Sequence, residues 1–338
     1  MSAEEAPLAA RVPAVDYIKV FAIVAVVFTH SILDPAMGRY TSWDELLGRY
    51  WVSYHVPAFL AVSGFLYYRP VPIPSRGVVR RFARVLVPYL VASFVALALG
   101  AVPEKGPSFL HRLLTGNTQG TYYYIFLIAV YVPTIGLLSR LPRRAVGLLF
   151  GALVLYPVAS HYVTALRISE THFWRLRDPL YPYVFFVGGW LVHMHLPRLK
   201  RFYLRFELPL CLAAIVGVVF YFEGPLRGGS WQDYLGNRMI YSASVLLLIS
   251  AASGRLNALL SAAGATPAPL RFVATATYTI YLYHYLFIYP VRQVAMDQHW
   301  HPAARILCVA LAAMAGGCAV AWLGRKLLGR RSKLILGV

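Results

Sequence analysis

Long apolar runs separated by short polar connections dominate this chain. They lie near 13–33, 50–68, 85–102, 121–139, 145–163, 179–194, 206–222, 238–253, 272–290 and 303–323. A helix rises about 1.5 Å per residue, so about 20 apolar residues cross a hydrocarbon layer of roughly 30 Å. Within that layer a single segment satisfies its own backbone hydrogen bonds only as a helix. The pattern predicts an all-α fold: a polytopic transmembrane bundle of about ten helices, forming one membrane domain over 1–338. No internal repeat, low-complexity tract or appended soluble domain interrupts it.

Composition agrees, with 59% hydrophobic and 13% charged residues, against about 25% charged in a soluble domain. A net charge of +19 would point to nucleic acid in a soluble protein. Here the distribution of charge gives a simpler account. With both termini inside (N-in/C-in), Arg69, Arg76, Arg80, Arg81 and Arg84 share one cytoplasmic loop, and Arg140, Arg143 and Arg144 the next. Arg198, Lys200, Arg201 and Arg205 follow, then Arg255 and Arg271. Residues 1–12 form a cytoplasmic N-terminal segment and 325–338 a basic cytoplasmic tail. Only Glu4, Glu5, Asp16 and Glu207 oppose them on that side. This is the positive-inside pattern, and it makes nucleic acid an unnecessary partner. No cleaved signal peptide is read at the N-terminus, so the first helix is expected to target the membrane. Cys211, Cys308 and Cys318 fall in apolar runs, as small packing residues do.

Ionisable groups at membrane depth are functional candidates, and the first run holds Asp16, Lys19 and His30. At about 100° per residue, Lys19 and His30 project from nearly one face, separated by a rise of about 16 Å. Asp16, three residues before Lys19, is placed for an ion pair or for the helix dipole. Asp34 is spaced to orient His30 if the helix passes Pro35. Taken singly, each has a plainer reading: an interfacial histidine, a surface lysine anchor and a helix cap.

The second run reads Tyr54-His-Val-Pro-Ala-Phe-Leu-Ala-Val-Ser-Gly-Phe-Leu66. Ser63 and Gly64 suit close helix approach, and His55 suits either substrate orientation or a structural hydrogen bond. Arg80, Arg81 and Arg84 are either positive-inside residues or a phosphate clamp, because guanidinium pairs its donors on phosphate oxygens.

In combination these residues resemble the acyltransferase-3 family of bacterial membrane proteins, especially its sugar O-acetylase branch. The family's acidic residue, basic residue, ten-residue gap and histidine are matched by Asp16, Lys19 and His30. Its His-x-Pro-x-Phe stretch leading to Ser-Gly-Phe is matched by His55, Pro57, Phe59, Ser63, Gly64 and Phe65, and its Arg-x-x-Arg by Arg81 and Arg84. The late pattern Thr-Tyr-x-Ile-Tyr-Leu-x-His is matched by Thr277, Tyr278, Ile280, Tyr281, Leu282 and His284. The detailed match covers about 12–90 and 275–285. Two departures stand out. Thr121-Tyr-Tyr-Tyr-Ile-Phe126 lacks the Trp or Glu of other branches, and no C-terminal esterase-like domain follows.

The resemblance implies a multi-pass enzyme of the bacterial inner membrane that moves an acyl group, usually acetyl, from acyl-coenzyme A to a sugar or glycan hydroxyl. Acetyl-CoA is then the donor, with no metal required. Arg80, Arg81, Arg84 and Lys19 are expected to hold its nucleotide end. His30 is expected to act as general base or to carry the acyl group, supported by Asp16 and Lys19. Ser63, Gly64, His55, Tyr278, Tyr281 and His284 are expected around the acceptor. Trp43, Trp51, Trp174, Trp231 and Trp300 suit sugar stacking or an interfacial aromatic belt. Two other classes compete. One is a transporter or flippase of a lipid-linked sugar or small anion, although no paired halves with broken helices are visible. The other is a metal or haem site on His30, His55 and His284, although their spacing forms no local ligand motif.

Overall fold

A computed structural model of the chain describes residues 12–32, 51–102, 107–119, 121–163, 178–226, 235–262, 268–297 and 301–338. Helices occur in the order α1 (Pro13–Ile32), α2 (His55–Tyr67), α3 (Ser75–Ala98), α4 (Phe109–Leu114), α5 (Tyr123–Leu138) and α6 (Arg143–Tyr162). There follow α7 (Tyr183–Met194), α8 (Leu196–Leu226), α9 (Leu235–Ala262), α10 (Ala268–Asp297) and α11 (Pro302–Leu328). A single 3-10 turn (Gly329–Arg331) then leads into α12 (Ser332–Ile335). Each apolar run read from the sequence carries one of these helices. Asp34, Pro35, Trp43, Trp174, Trp231 and Trp300 lie outside the described residues.

Several boundaries differ from the hydropathy reading for physical reasons. α3 starts at Ser75, behind an extended Pro74 (φ −68°, ψ 156°). Arg76, Arg80, Arg81 and Arg84 therefore lie on a helix instead of in a loop. Arginine is a good helix former, and a hydropathy window counts only what must be buried in lipid. α8 kinks at Phe206 (φ −122°, ψ 27°), where the basic segment from Arg198 to Arg205 gives way to an apolar one. α10 continues past the apolar run, through Pro290 to Asp297.

Spans long and apolar enough to cross a membrane are Pro13–Ile32, Ser75–Ala98, Leu196–Phe222, Asn237–Ala262 and Ala304–Ile335; His55–Tyr67, Tyr123–Leu138 and Tyr183–Met194 are shorter apolar helices. The fold is that of a multi-pass helical membrane protein. α1 lies at its centre. It packs against α2, α9, α10 and α11, and 61% of its apolar window is buried, against 11% for the spans in α8 and α9. Those outer helices present apolar faces to lipid, whereas α1 presents its polar residues to protein.

Between the helices, tyrosine hydroxyls donate to backbone carbonyls of other helices or connections. Tyr122 donates to Leu282, Tyr281 to Thr121, Tyr278 to Val85 (2.6 Å), Tyr89 to Leu113 (2.8 Å) and Tyr241 to Trp51 (2.6 Å). Each ring fills core volume while its hydroxyl finds the partner that burial requires.

α2 and α7 cross almost in backbone contact. A Cβ built on Gly64 would stand 1.8 Å from the Phe186 carbonyl oxygen, and one on Gly189 1.8 Å from that of Ala61. Such an approach is open only to glycine.

The 325–338 segment is basic as expected, and its end folds back onto the bundle. Thr279 donates its hydroxyl to the Leu336 carbonyl (2.7 Å), Val338 is buried, and α12 packs against α3. Gly337 turns there with φ +80°, where a Cβ would meet the Tyr278 ring at 2.4 Å. Gly337→Ala is therefore expected to lower stability by about 1–3 kcal/mol, because the backbone conformation and the space are both unsuited to a side chain. A thermal melt in detergent measures this. A midpoint equal to that of the wild type would show that the segment does not hold this seat.

Candidate active site: a histidine pair and an arginine cleft

The site is organised along α1. At its start, Val15 packs with Val62 and Phe65 of α2. Toward its other end, Ala22 and Ala25 pack with Val52, Tyr54 and Ala58, and the Tyr54 hydroxyl donates to the Phe21 carbonyl (3.2 Å). α1 and α2 thus run antiparallel. Asp16, Lys19 and the end of α2 share one end of the bundle, and His30 and His55 share the other. Asp16 is buried and Lys19 half-buried, and both make polar interactions with neighbours.

At the histidine end, α10 completes the site. The His30 and His284 rings lie 5.4 Å apart, with Tyr285 edge-on to both at 6.3 Å. His284 is fully buried. Its Nδ1 lies 2.7 Å from the Tyr281 carbonyl. A carbonyl only accepts, so the neutral ring carries its proton on Nδ1 and presents a lone pair at Nε2. Among the described residues no group bonds that Nε2. His55 is held the same way, Nδ1 donating to the Val52 carbonyl. His284, His55 and Arg292 all lie within electrostatic reach of His30.

Sequence reading missed Arg292, because the expected helix stopped at Pro290. It is 8% exposed and donates through a guanidinium nitrogen to the His30 carbonyl (2.6 Å). That carbonyl belongs to the last turn of α1, whose acceptors lack intrahelical donors. A cation is also favourable at a helix C-terminus. Arg292 thereby fixes the end of α1 against α10. Arg292→Met is expected to lower stability by about 1–3 kcal/mol, because the His30 carbonyl loses its charged donor. Arg292→Lys is expected to recover part of the loss. A thermal melt in detergent measures this, and midpoints equal to that of the wild type would show that the contact does not hold the end of α1.

At the opposite end, Arg69, Arg80, Arg81 and Arg84 line a cleft of about 300 Å³ with Leu66, Tyr67 and Gly77. Arg81 is partly held by its own helix, donating to the Gly77 carbonyl (3.1 Å).

Polar aromatic groups bridge the two ends. Tyr67 lies within electrostatic reach of Arg81 and Arg84, Tyr278 of Tyr67 and Tyr124, and Tyr281 of Tyr278 and Tyr124. The Ser63 and Tyr124 hydroxyls meet at 3.2 Å. Tyr281 stands edge-on to Tyr124 (5.5 Å) and 6.1 Å from His284. Tyr124 was not singled out by the sequence; its signal is the hydroxyl it adds where an apolar helix would otherwise pass Ser63. Gly64, grouped with the acceptor residues, faces the Phe186 backbone. Among the described residues no three His, Cys, Asp or Glu side chains gather closely enough to hold a metal ion.

The fold and site define a multi-pass helical membrane protein with a histidine pair at one end of its central helix and an arginine cleft at the other. The family profile described as an acyltransferase domain matches residues 12–322, and the chain belongs to the acyltransferase-3 family. It is therefore a membrane acyltransferase. No curated protein and no solved structure matches it.

Proposed function

We propose that the protein is an acyl-CoA-dependent O-acyltransferase that moves an acyl group, most simply acetyl, onto a sugar or glycan hydroxyl, with the arginine end facing the cytoplasm of a bacterial inner membrane. The observation that carries this reading is the placement of an arginine cleft at one end of α1 and the His30–His284 pair at the other, with Tyr124 and Tyr281 packed beside His284. Coenzyme A is built to the same plan. It carries phosphates at one end, a long flexible arm, and the thioester at the other.

Arg80, Arg81 and Arg84 hold the phosphates through charge-assisted hydrogen bonds, and Lys19 adds a cation at the same end. The arm passes the tyrosines between the two ends, which brings the thioester to the histidine pair. There His30 takes the proton from the acceptor hydroxyl as its oxygen attacks the thioester carbonyl carbon. The tetrahedral intermediate collapses with cleavage of the C–S bond, and the departing thiolate takes the proton from His30. An acyl-histidine route divides the same transfer in two. Asp16 sits beside Lys19 in the first turn and sets its position, while His55 and His284 with Ser63, Tyr278 and Tyr281 shape the acceptor and thioester cavity. A carrier that moves a lipid-linked sugar without chemistry would leave every thioester intact.

The test is free-thiol release from acetyl-CoA by purified protein in detergent. Cleavage is expected, and Arg84→Ala is expected to raise the donor KM about tenfold or more through loss of one charge-assisted phosphate contact. The effect should shrink at high salt, where phosphate attraction is screened. No donor turnover, with glycan extract present, would sink the enzyme reading.

A further inference from the structure

We infer that Gln119 and Thr121 form the acceptor-recognition wall of the site and bind a paired donor and acceptor on the sugar: a vicinal diol or an acetamido group. This rests on the acyltransferase reading above and extends it to residues outside the family-matching motifs. Gln119 is 2% and Thr121 3% exposed. Among the described residues, neither the Gln119 amide nitrogen and oxygen nor the Thr121 hydroxyl has a hydrogen-bond partner, and the same holds for His284 Nε2. Buried polar atoms are almost always paired, so several left open in one neighbourhood point to a polar ligand.

Their neighbourhood is set by backbone tethers. The Tyr281 hydroxyl donates to the Thr121 carbonyl, and the Tyr122 hydroxyl to the Leu282 carbonyl. Thr121 and Tyr122 are thereby held along the stretch of α10 that carries His284. The chain is also anchored on its other side. Thr118 and Ser93 hydroxyls meet at 2.9 Å, and the Tyr122 amide donates to the Gln119 carbonyl (3.0 Å). The Gln119 carboxamide is thus presented by a fixed backbone, with one donor group and one acceptor beside each other. Adjacent sugar hydroxyls complement that pair, as does the N–H and C=O of an acetamido substituent. Thr121 adds a third polar contact, and the His284 lone pair adds an acceptor. The pantetheine arm of coenzyme A also carries amides, and a rise in donor KM in place of acceptor KM would assign Gln119 and Thr121 to that arm and overturn the inference.

The experiment compares wild type, Gln119→Met and Thr121→Val in detergent with acetyl-CoA. Methyl β-glucopyranoside and the methyl glycoside of N-acetylglucosamine serve as acceptors, and acetylated glycoside is detected by mass spectrometry. At least one glycoside is expected to be acetylated by wild type. Both variants are expected to raise the acceptor KM about tenfold while the donor KM holds. Acetylation of both glycosides identifies the diol, and acetylation of the acetamido sugar alone identifies the amide. Thermal melts report whether each variant folds, and Thr121→Val, which preserves shape, carries the test if Gln119→Met does not. If wild type cleaves acetyl-CoA but neither glycoside is acetylated, or if the variants keep the wild-type acceptor KM, the inference is overturned and the acyltransferase reading stands. If wild type cleaves no acetyl-CoA, both fall.

Discussion

Replacing His30 by alanine is expected to lower acyl transfer by about 10² to 10⁴, the range a positioned general base contributes, with little loss of stability. The ring lies on the central helix, partly buried and 5.4 Å from His284. Donor binding should persist, because the arginine cleft lies at the other end of α1 and is lined by α2, α3 and the short connection between them. A kcat loss without a KM change, at an unshifted melting midpoint, is the expected signature. His284→Ala is the informative companion. With Nδ1 committed to the Tyr281 carbonyl, His284 has only Nε2 to offer. If His284→Ala abolished turnover while His30→Ala merely slowed it, the roles of base and neighbour would have to be exchanged.

The second large effect is on folding. Gly189→Ala is expected to cost about 3 kcal/mol or more, at or above the upper end for overpacking, because its methyl would enter the space of the Ala61 backbone carbonyl, which cannot rotate away. The α2–α7 crossing would have to open, displacing Ser63 and with it the hydroxyl contact to Tyr124. Gly147 provides the control: a Cβ there meets nothing within 4 Å, so Gly147→Ala is expected to be neutral or slightly stabilising. Thermal melts of the two variants in one detergent decide the matter. Equal midpoints would mean that the crossing is looser than the structure has it.

The sequence alone determined the elements and the chemical inventory. Hydropathy marks each long helix because lipid imposes the same length and polarity on all of them. Asp16, Lys19 and His30 were legible because a polar residue within an apolar run has few neutral explanations. The motifs around His55, Ser63, Arg81 and His284 pointed to the acyltransferase-3 family, whose profile matches residues 12–322.

Only the tertiary structure decided which of these groups meet. His30 and His284 are 254 positions apart in sequence and become neighbours because α1 lies against α10. The tyrosines between the two ends likewise come from α2, α5 and α10, and no periodicity within one helix reports such a contact. Arg292 lay beyond the apolar run that ends at Pro290, whereas the helix that carries it continues to Asp297. Gln119 and Thr121 lie just before α5 and outside the matched motifs, and their burial follows from the tethers of Thr121 and Tyr122 to α10. Local pattern records what each segment must bury, whereas contact between segments depends on which faces pack together, and that is settled only when the bundle closes.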